Sequence, residues 1–293
     1  MTKKNLKRNL VAWSFVLPNL LGFLAFTLVP MVFALALSFM NWDGAGEITF
    51  AGLENFRELT RDETFKISAL NTLYYVVGTV PTTLACSLGL ALLLNRNMRG
   101  RNVFRAIFFF PYVASLVAVA VVWNMMFHPS MGPVNSLLSA LGVQEPPKWS
   151  ASVPWAMPTV ILSSIWRHMG YYMIMYLAAL QGIPRELYEA VKLDGASPWQ
   201  SFRKITLPLL SPATFFVTMM LTINAFKVFD LIYVMTGGGP GRATNVLVFA
   251  IYNAAFIEFR YGYSSAMALV LFVLVVLITV FQFRMEKKWV SYL

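Results

Sequence analysis

The sequence is poor in charged residues, cysteine and histidine. Only 12% of its 293 residues are charged, about half the share of an average soluble domain, which excludes an ordinary water-soluble fold. The single cysteine, Cys86, has no partner for an intrachain disulfide. His128 and His168 lack cysteine or carboxylate neighbours at ligand spacing. We therefore expect no metal site, no cofactor and no catalytic constellation, so the chain is predicted not to be an enzyme.

Long apolar runs dominate instead: 58% of the residues are hydrophobic and the mean hydropathy is +0.64. The runs without Asp, Glu, Lys or Arg cover residues 11–40, 67–94, 106–129, 205–226 and 261–283, and a sixth run, 156–180, contains only Arg167. About 20 apolar residues cross a bilayer as a helix, which satisfies its own backbone groups. Alternation of period two is absent, which argues against a barrel. The sequence predicts an all-α membrane protein with six transmembrane helices, forming one membrane domain over residues 1–293.

The positive charges indicate the orientation of these helices. The net charge of +10 would also suit a nucleic-acid binder, but the charges lie between apolar runs, so we expect a lipid bilayer and no nucleic acid as partner. With both termini in the cytoplasm, fifteen of the 23 Lys and Arg residues fall on the cytoplasmic side and six outside. Because positive residues accumulate in cytoplasmic loops, both termini are predicted to be cytoplasmic.

The basic N-terminus followed by an apolar run also resembles a cleavable signal peptide. The apolar core of a signal peptide is roughly 7–15 residues long, whereas this run spans residues 11–40 and contains Pro18 and Pro30. A retained first transmembrane helix is the preferred interpretation.

The loop between the fourth and fifth apolar runs has a tightly specified sequence. Pro184 suits a first helical position, Gly195 suits the left-handed residue after a helix end, and Ser197 with Gln200 has the spacing of a capping box. The pattern predicts two short, amphipathic helices joined by a sharp turn. Taken alone, it is most typical of a capped connector on the membrane surface.

The residues of this loop also resemble a known motif. Glu189-Ala190, then Asp194-Gly195-Ala196, and then Phe202, Ile205, Leu207 and Pro208 resemble the EAA loop of permease subunits in binding-protein-dependent ABC importers. Residues 229–240 and 262–266 are similar to the carbohydrate-uptake, MalF/UgpA-type branch of that family. The resemblance covers essentially the whole chain. Val191 departs from it, since a small residue is common at that position.

The resemblance implies the MetI/MalF-like permease fold in the inner membrane, with residues 181–208 as the loop that couples it to a cytoplasmic ATPase. The residues implied in coupling are Arg185, Glu189, Ala190, Asp194, Gly195 and Ser197. It also implies the partners: a second permease subunit, two copies of an ATP-binding subunit and an extracytoplasmic solute-binding protein. The chain has no nucleotide-binding motif, so ATP hydrolysis is expected in the partner.

Polar residues within the apolar runs are candidates for the substrate pathway. Tyr171, Tyr172 and Asn224 combine flat rings with hydrogen-bonding groups, as sugars require. For Arg167, Lys227 and Asp230, internal ion pairing and substrate contact remain equally open. Lys227 and Asp230 are three residues apart and are expected to pair along one helix face, which favours a neutral sugar. Glycerol 3-phosphate or a related polyol is the alternative substrate, and an autonomous secondary carrier is a weaker alternative function.

Overall fold

The computed structural model describes residues 3–96 and 98–289, and these residues are mostly helical. Both termini, predicted to be cytoplasmic, lie outside the described residues. The described residues fall into two compact units. One unit runs up to Asp62 and includes Ile251–Leu271, and the other comprises Glu63–Ala250 and the residues from Phe272 onward.

The α-helices are joined mostly by short turns, and a few short stretches have π- or 3₁₀-helical geometry. The α-helices are α1 Lys3–Phe23, α2 Val29–Leu37, α3 Glu54–Arg61, α4 Glu63–Leu94, α5 Arg101–Val113, α6 Leu116–Met126, α7 Pro133–Ala140, α8 Val153–Gln181, α9 Arg185–Leu193, α10 Pro198–Ser201, α11 Leu207–Leu209, α12 Ser211–Phe226, α13 Asp230–Met235, α14 Leu247–Tyr252 and α15 Tyr261–Trp289. The π-helical stretches are Leu24–Leu28, Phe202–Thr206 and Asn253–Ile257, the 3₁₀ turn is Trp149–Ala151, and the strands are β1 Met40–Asn41 and β2 Thr49–Phe50.

Two short strands depart from the all-helical expectation. β1 and β2 pair antiparallel, with Met40 opposite Phe50. In the loop between them, Asp43 accepts hydrogen bonds from the backbone N–H groups of Ala45 and Gly46, at 3.1 and 2.9 Å. These bonds stabilise the ionised carboxylate, which lowers the pKa of Asp43 below its usual value. The ribbon orders a segment that the sequence indicated only as a loop.

The first unit is held by contacts between residues about two hundred positions apart. Arg260 Nη2 donates to both carboxylate oxygens of Glu58 at 2.6 Å, and the Tyr263 hydroxyl donates to the carboxylate of Asp62. The Arg260 guanidinium also lies 4.1 Å from the centre of the Tyr263 ring. These contacts join the segment after α2 to the start of α15.

In the second unit, α4 packs closely against α8, since a Cβ at Gly78 on α4 would lie 2.8 Å from the side chain of Ile161 on α8. The buried face of α4 carries small polar residues and one tyrosine three or four positions apart, namely Ser68, Thr72, Tyr75, Thr79, Thr83 and Ser87, each exposed by 2% or less. Small residues allow helix backbones to approach closely in membranes. Gly170 on α8 shows the same feature against α5, since a Cβ there would lie only 1.8 Å from the Phe108 carbonyl oxygen. The positions of both α4 and α5 therefore depend on α8.

Three of the helical stretches in the described residues are long and apolar enough to cross a membrane: Val11–Leu37, Glu63–Leu94 and Tyr261–Lys287. Two further candidates are bent pairs, α5 with α6 at 98° and Pro198–Leu209 with α12 at 63°. The apolar runs 106–129 and 205–226 are thus both interrupted by a bend. α8 covers the sixth apolar run with 29 helical residues.

Candidate functional site

A cavity of about 410 Å³ opens between four parts of the second unit. Its walls come from α4, from the α5–α6 bend, from α8, and from the end of α12 with the start of α13. The lining residues are Tyr75, Thr79, Tyr112, Leu116, Ser164, Arg167, His168, Tyr172, Leu221, Asn224, Ala225, Lys227, Val228, Phe229, Asp230 and Leu231. The volume lies in the range of small-molecule sites, about 300–1,000 Å³. The lining combines aromatic rings with a few polar and charged groups, which suits a polar organic ligand.

α8 supplies one wall because Ser164, His168 and Tyr172 recur every four residues on one helix face. His168 Nδ1 donates to the Ser164 carbonyl oxygen at 2.8 Å, and the hydroxyls of Ser164 and Tyr75 share a hydrogen bond of 2.6 Å. Tyr172, only 1% exposed, accepts a hydrogen bond from Asn224 Nδ2 at 3.4 Å. This wall is therefore fixed by hydrogen bonds to α4 and α12.

Arg167 holds the bend between α5 and α6. Its guanidinium donates to the backbone carbonyls of Ala114, at 3.3 Å, and Tyr112, at 3.5 Å. A helix leaves its last four carbonyls without helical partners, and such groups are costly to leave unsatisfied in a membrane. Arg167 thus satisfies carbonyls at the end of α5. It forms no ion pair within the described residues, so the internal ion pair considered from the sequence is not what secures it.

Lys227 and Asp230 do not share a helix face, so the predicted pairing along one helix is wrong. α12 ends at Phe226, Phe229 has non-helical backbone angles, and α13 begins at Asp230. No ion pair joins the Lys227 ammonium to the Asp230 carboxylate, both of which the structure describes. The two side chains are exposed and both line the cavity.

Tyr171, the remaining sequence-predicted pathway residue, lies behind the cavity wall instead of on it. Its ring stacks on that of Tyr112, with centroids 4.3 Å apart, and meets Tyr172 edge-on at 5.0 Å. Tyr112 itself lines the cavity. The other predicted pathway residues, Arg167, Tyr172, Asn224, Lys227 and Asp230, all line it. Tyr171 can therefore act on the cavity only through its neighbours.

Sequence reasoning missed Tyr75, Tyr112 and His168. Tyr75 belongs to the row of polar residues on α4, and a polar stripe on one face of an otherwise apolar helix was a readable sign that this face is buried against protein. Tyr112 follows Pro111 inside an apolar run, and proline often marks a bend in a membrane helix. His168 carried no signal beyond its position next to Arg167.

The loop between α8 and α12 forms two capped helical segments, as predicted. Gly195 is left-handed, with φ of 75°. The Gly195 N–H donates to Lys192 O, and the Ala196 N–H donates to Val191 O, both at 3.1 Å. These two bonds are the Schellman arrangement that ends a helix. The first helix starts one residue later than predicted, with Pro184 as its N-cap residue.

The second helical segment of this loop has the predicted capping box. The Ser197 hydroxyl accepts from the Gln200 N–H at 3.3 Å, and the Ser197 N–H donates to Gln200 Oε1 at 2.7 Å. The implied coupling residues are all exposed on this loop: Arg185, Glu189, Ala190, Asp194, Gly195 and Ser197. Leu193 is 89% exposed and Trp199 66%. The loop therefore presents charged and apolar groups together on a rigid backbone.

Comparisons with known proteins agree with this geometry. The chain is 38% identical to the probable ABC transporter permease protein YesP of Bacillus subtilis (strain 168), over 98% of this chain and 93% of that protein. It is 35% identical to the sn-glycerol-3-phosphate transport system permease protein UgpA of Agrobacterium fabrum (strain C58 / ATCC 33970), over 94% of each. Both alignments extend over nearly the full length of this chain and of the two relatives.

A solved structure and a protein family match the chain as well. The structure, a bacterial ABC transporter involved in the import of the acidic polysaccharide alginate, aligns with a TM-score of 0.87 and 27% identity, over 98% of this chain and 99% of that one. Residues 82–291 match a family described as the binding-protein-dependent transport system inner membrane component. The chain belongs to this family, and it is a multi-pass membrane permease of the ABC importer type.

Proposed function

We propose that this chain is the permease subunit of an ATP-driven, binding-protein-dependent sugar importer and forms half of its translocation pathway. A similar permease subunit forms the other half, two ATP-binding subunits attach on the cytoplasmic side, and a solute-binding protein delivers the substrate. The pathway opens alternately to the two sides of the membrane. The observation that carries this proposal is the exposed, doubly capped loop after α8 in a chain of this family.

The proposed topology has six membrane crossings and both termini in the cytoplasm, within a single membrane domain. The three apolar helices and two bent pairs support five crossings. α8 supports the sixth, because its 29 residues span about 43 Å, more than the hydrocarbon thickness. The excess of Lys and Arg on the proposed cytoplasmic side supports the orientation.

Residues 181–208 form the proposed coupling loop. Its first helix, α9, seats in a cleft of the ATP-binding subunit, where Glu189 pairs with a basic group and Leu193 becomes buried. Asp194 and Gly195 form the turn through which α9 moves together with the membrane helices. The exposure of these side chains and the hydrogen bonds of the turn support this role. A partner can move the permease only through a stiff element that it contacts differently in its two states.

The cavity is the proposed substrate pathway, with Asn224 and Tyr172 as its principal polar contacts. Amide and hydroxyl groups beside the rings of Tyr75, Tyr112 and Phe229 suit a polyhydroxylated ligand. Tyr171 supports the ring of Tyr112 from behind. The alginate transporter that shares this fold supports a saccharide as substrate. Glycerol 3-phosphate is a second candidate, favoured by the similarity to the sn-glycerol-3-phosphate permease of Agrobacterium.

Substitution of Gly195 tests the coupling role. Gly195→Val strains the turn by about 1–2 kcal/mol, since φ is positive there, whereas Gly195→Asn, a residue that tolerates this conformation, is the control. We expect Gly195→Val to lower ATP-driven uptake into proteoliposomes at least about tenfold while the ATP-binding subunits stay attached and hydrolyse ATP. Wild-type uptake by an assembled Gly195→Val transporter would contradict the coupling role.

A further inference from the structure

The three charged side chains of the cavity do not balance one another. Arg167, Lys227 and Asp230 all line it, so two cations face one anion. A charge within a membrane protein is costly unless it is paired, hydrogen-bonded or required for function. The surroundings of each group therefore indicate which charge remains available to a ligand.

Of the other two groups, Arg167 has hydrogen-bond partners within the described residues. The guanidinium donates to the Tyr112 and Ala114 carbonyls at the end of α5, which fixes its position. Among the described residues, the Asp230 carboxylate forms no ion pair with Arg167 or with Lys227.

The ammonium of Lys227, in contrast, has no partner of this kind. Its side chain is exposed and lines the cavity, and its ammonium has no hydrogen-bond or ion-pair partner in residues 11–96 and 98–287. It occupies the C-cap position of α12, where the helix dipole favours a positive charge. That effect helps the chain to tolerate a cation there, but it leaves all three N–H donors of the ammonium without protein acceptors.

The neighbours of Lys227 define the rest of the ligand. Asn224 lies one helical turn earlier and offers its amide beside Tyr172, while Phe229 provides an aromatic face. These groups suit the hydroxyls and the apolar face of a sugar ring. One unpaired ammonium matches a singly charged carboxylate, whereas a phosphate calls for several clustered donors.

We propose that the substrate is an acidic saccharide and that Lys227 is the residue that binds its carboxylate. This inference rests on the proposed sugar-import function and deepens it. It replaces the neutral sugar favoured by the sequence, because that expectation depended on a Lys227–Asp230 pair that the helix break removes. The selectivity of the permease for charge then resides largely in one side chain.

The test compares acidic saccharides with their neutral esters. Proteoliposomes containing the whole transporter and its binding protein are supplied with di- and trigalacturonate, with the glucuronate equivalents, with the methyl esters of each, and with glycerol 3-phosphate. We expect ATP-driven uptake of the free acids, and Lys227→Gln should lower it by about tenfold or more, the scale of one charge-assisted hydrogen bond. Lys227→Arg should retain most of the uptake. Lys148→Gln, an exposed outer-loop lysine, is the matched control and should change nothing.

Several results would overturn the assignment. The assignment is wrong if the esters are taken up at least as fast as the acids. It is also wrong if glycerol 3-phosphate is the only anion carried, or if Lys227→Gln slows the uptake of acids and esters equally. Loss of the second permease subunit from the purified Lys227→Gln transporter would instead assign Lys227 to that interface. If neutral saccharides alone are imported, the sugar-import function stands and this inference falls. If ATP hydrolysis drives uptake of no saccharide, both the proposed sugar-import function and the role of Lys227 are wrong.

Discussion

The proposed coupling loop and the cavity are stabilised by opposite kinds of contact. In the loop, the bonds that fix the turn and the second helix join residues at most five positions apart, as between Ala196 and Val191 or between Ser197 and Gln200. In the cavity, the bond between Tyr75 and Ser164 spans 89 positions and that between Asn224 and Tyr172 spans 52. The loop is mostly exposed, whereas most residues that line the cavity are buried or half-buried.

This difference predicts how each region responds to change. A loop stabilised by local bonds keeps its shape while the helices around it move, which is what a rigid connection to another subunit requires. The cavity keeps its shape only while α4, α8 and α12 remain in register. Substitutions should therefore affect the cavity through helix packing and the loop through its caps.

The largest effect is expected at Gly170, where the cavity depends on close helix contact. Gly170→Ala places a methyl group against the Phe108 carbonyl and should destabilise the protein by about 3 kcal/mol or more, the upper range for overpacking. Gly89→Ala on α4, where nothing lies within 4 Å, should be neutral or slightly stabilising. Thermal unfolding of the transporter in detergent measures both. Equal midpoints for the two variants would show that α5 and α8 do not rely on this contact.

A smaller effect is expected at Arg167, which joins α8 to the end of α5. Arg167→Lys keeps the positive charge, but a lysine lacks the planar guanidinium that donates to two carbonyls at once. We therefore expect the free energy of unfolding to fall by about 1.5 kcal/mol, the contribution of one hydrogen bond to a charged group. Arg203→Lys, at an exposed position in the π-helical segment after α10, is the control. The unfolding midpoint reports the loss. A midpoint for Arg167→Lys equal to that of the control would show that the Tyr112 and Ala114 carbonyls do not need the guanidinium.

The smallest effect is expected at Ser197, and it should stay within the loop. Ser197→Ala removes the capping hydroxyl and should destabilise α10 by about 1 kcal/mol. Hydrogen exchange should become faster at residues 199–201 while the cavity helices keep their protection. Ser201→Ala, on the same helix but outside the capping box, should leave exchange unchanged. Faster exchange along α8 in the Ser197→Ala variant would contradict the local character of the loop.

The same difference explains which features could be predicted from the sequence. The left-handed Gly195 and the Ser197–Gln200 box were predicted because the residues that determine them are neighbours in the chain. The one-residue shift at Pro184 is a matter of local geometry, since the preceding Ile183 and the proline ring allow either start. Local signals thus sufficed for the loop.

The cavity could be predicted only in part. Its polar residues on α8 and α12 stood out within apolar runs, but the α5–α6 bend and the helix break after Phe226 did not. The first bend depends on Arg167, which reaches carbonyls more than fifty positions away in the sequence, so the residues around the bend do not determine it alone. The predicted pairing of Lys227 with Asp230 was wrong because it assumed a continuous helix, whereas α12 ends at Phe226.

The contacts between Glu58 and Arg260 and between Asp62 and Tyr263 have a consequence for biogenesis. Neither can form until the ribosome has synthesised almost the entire polypeptide. The first unit therefore stays unfinished throughout most of translation, and closing it is one of the last events of insertion. A chain cut short before Arg260 would lack both of these contacts, and the incomplete unit would be a substrate for proteolytic quality control.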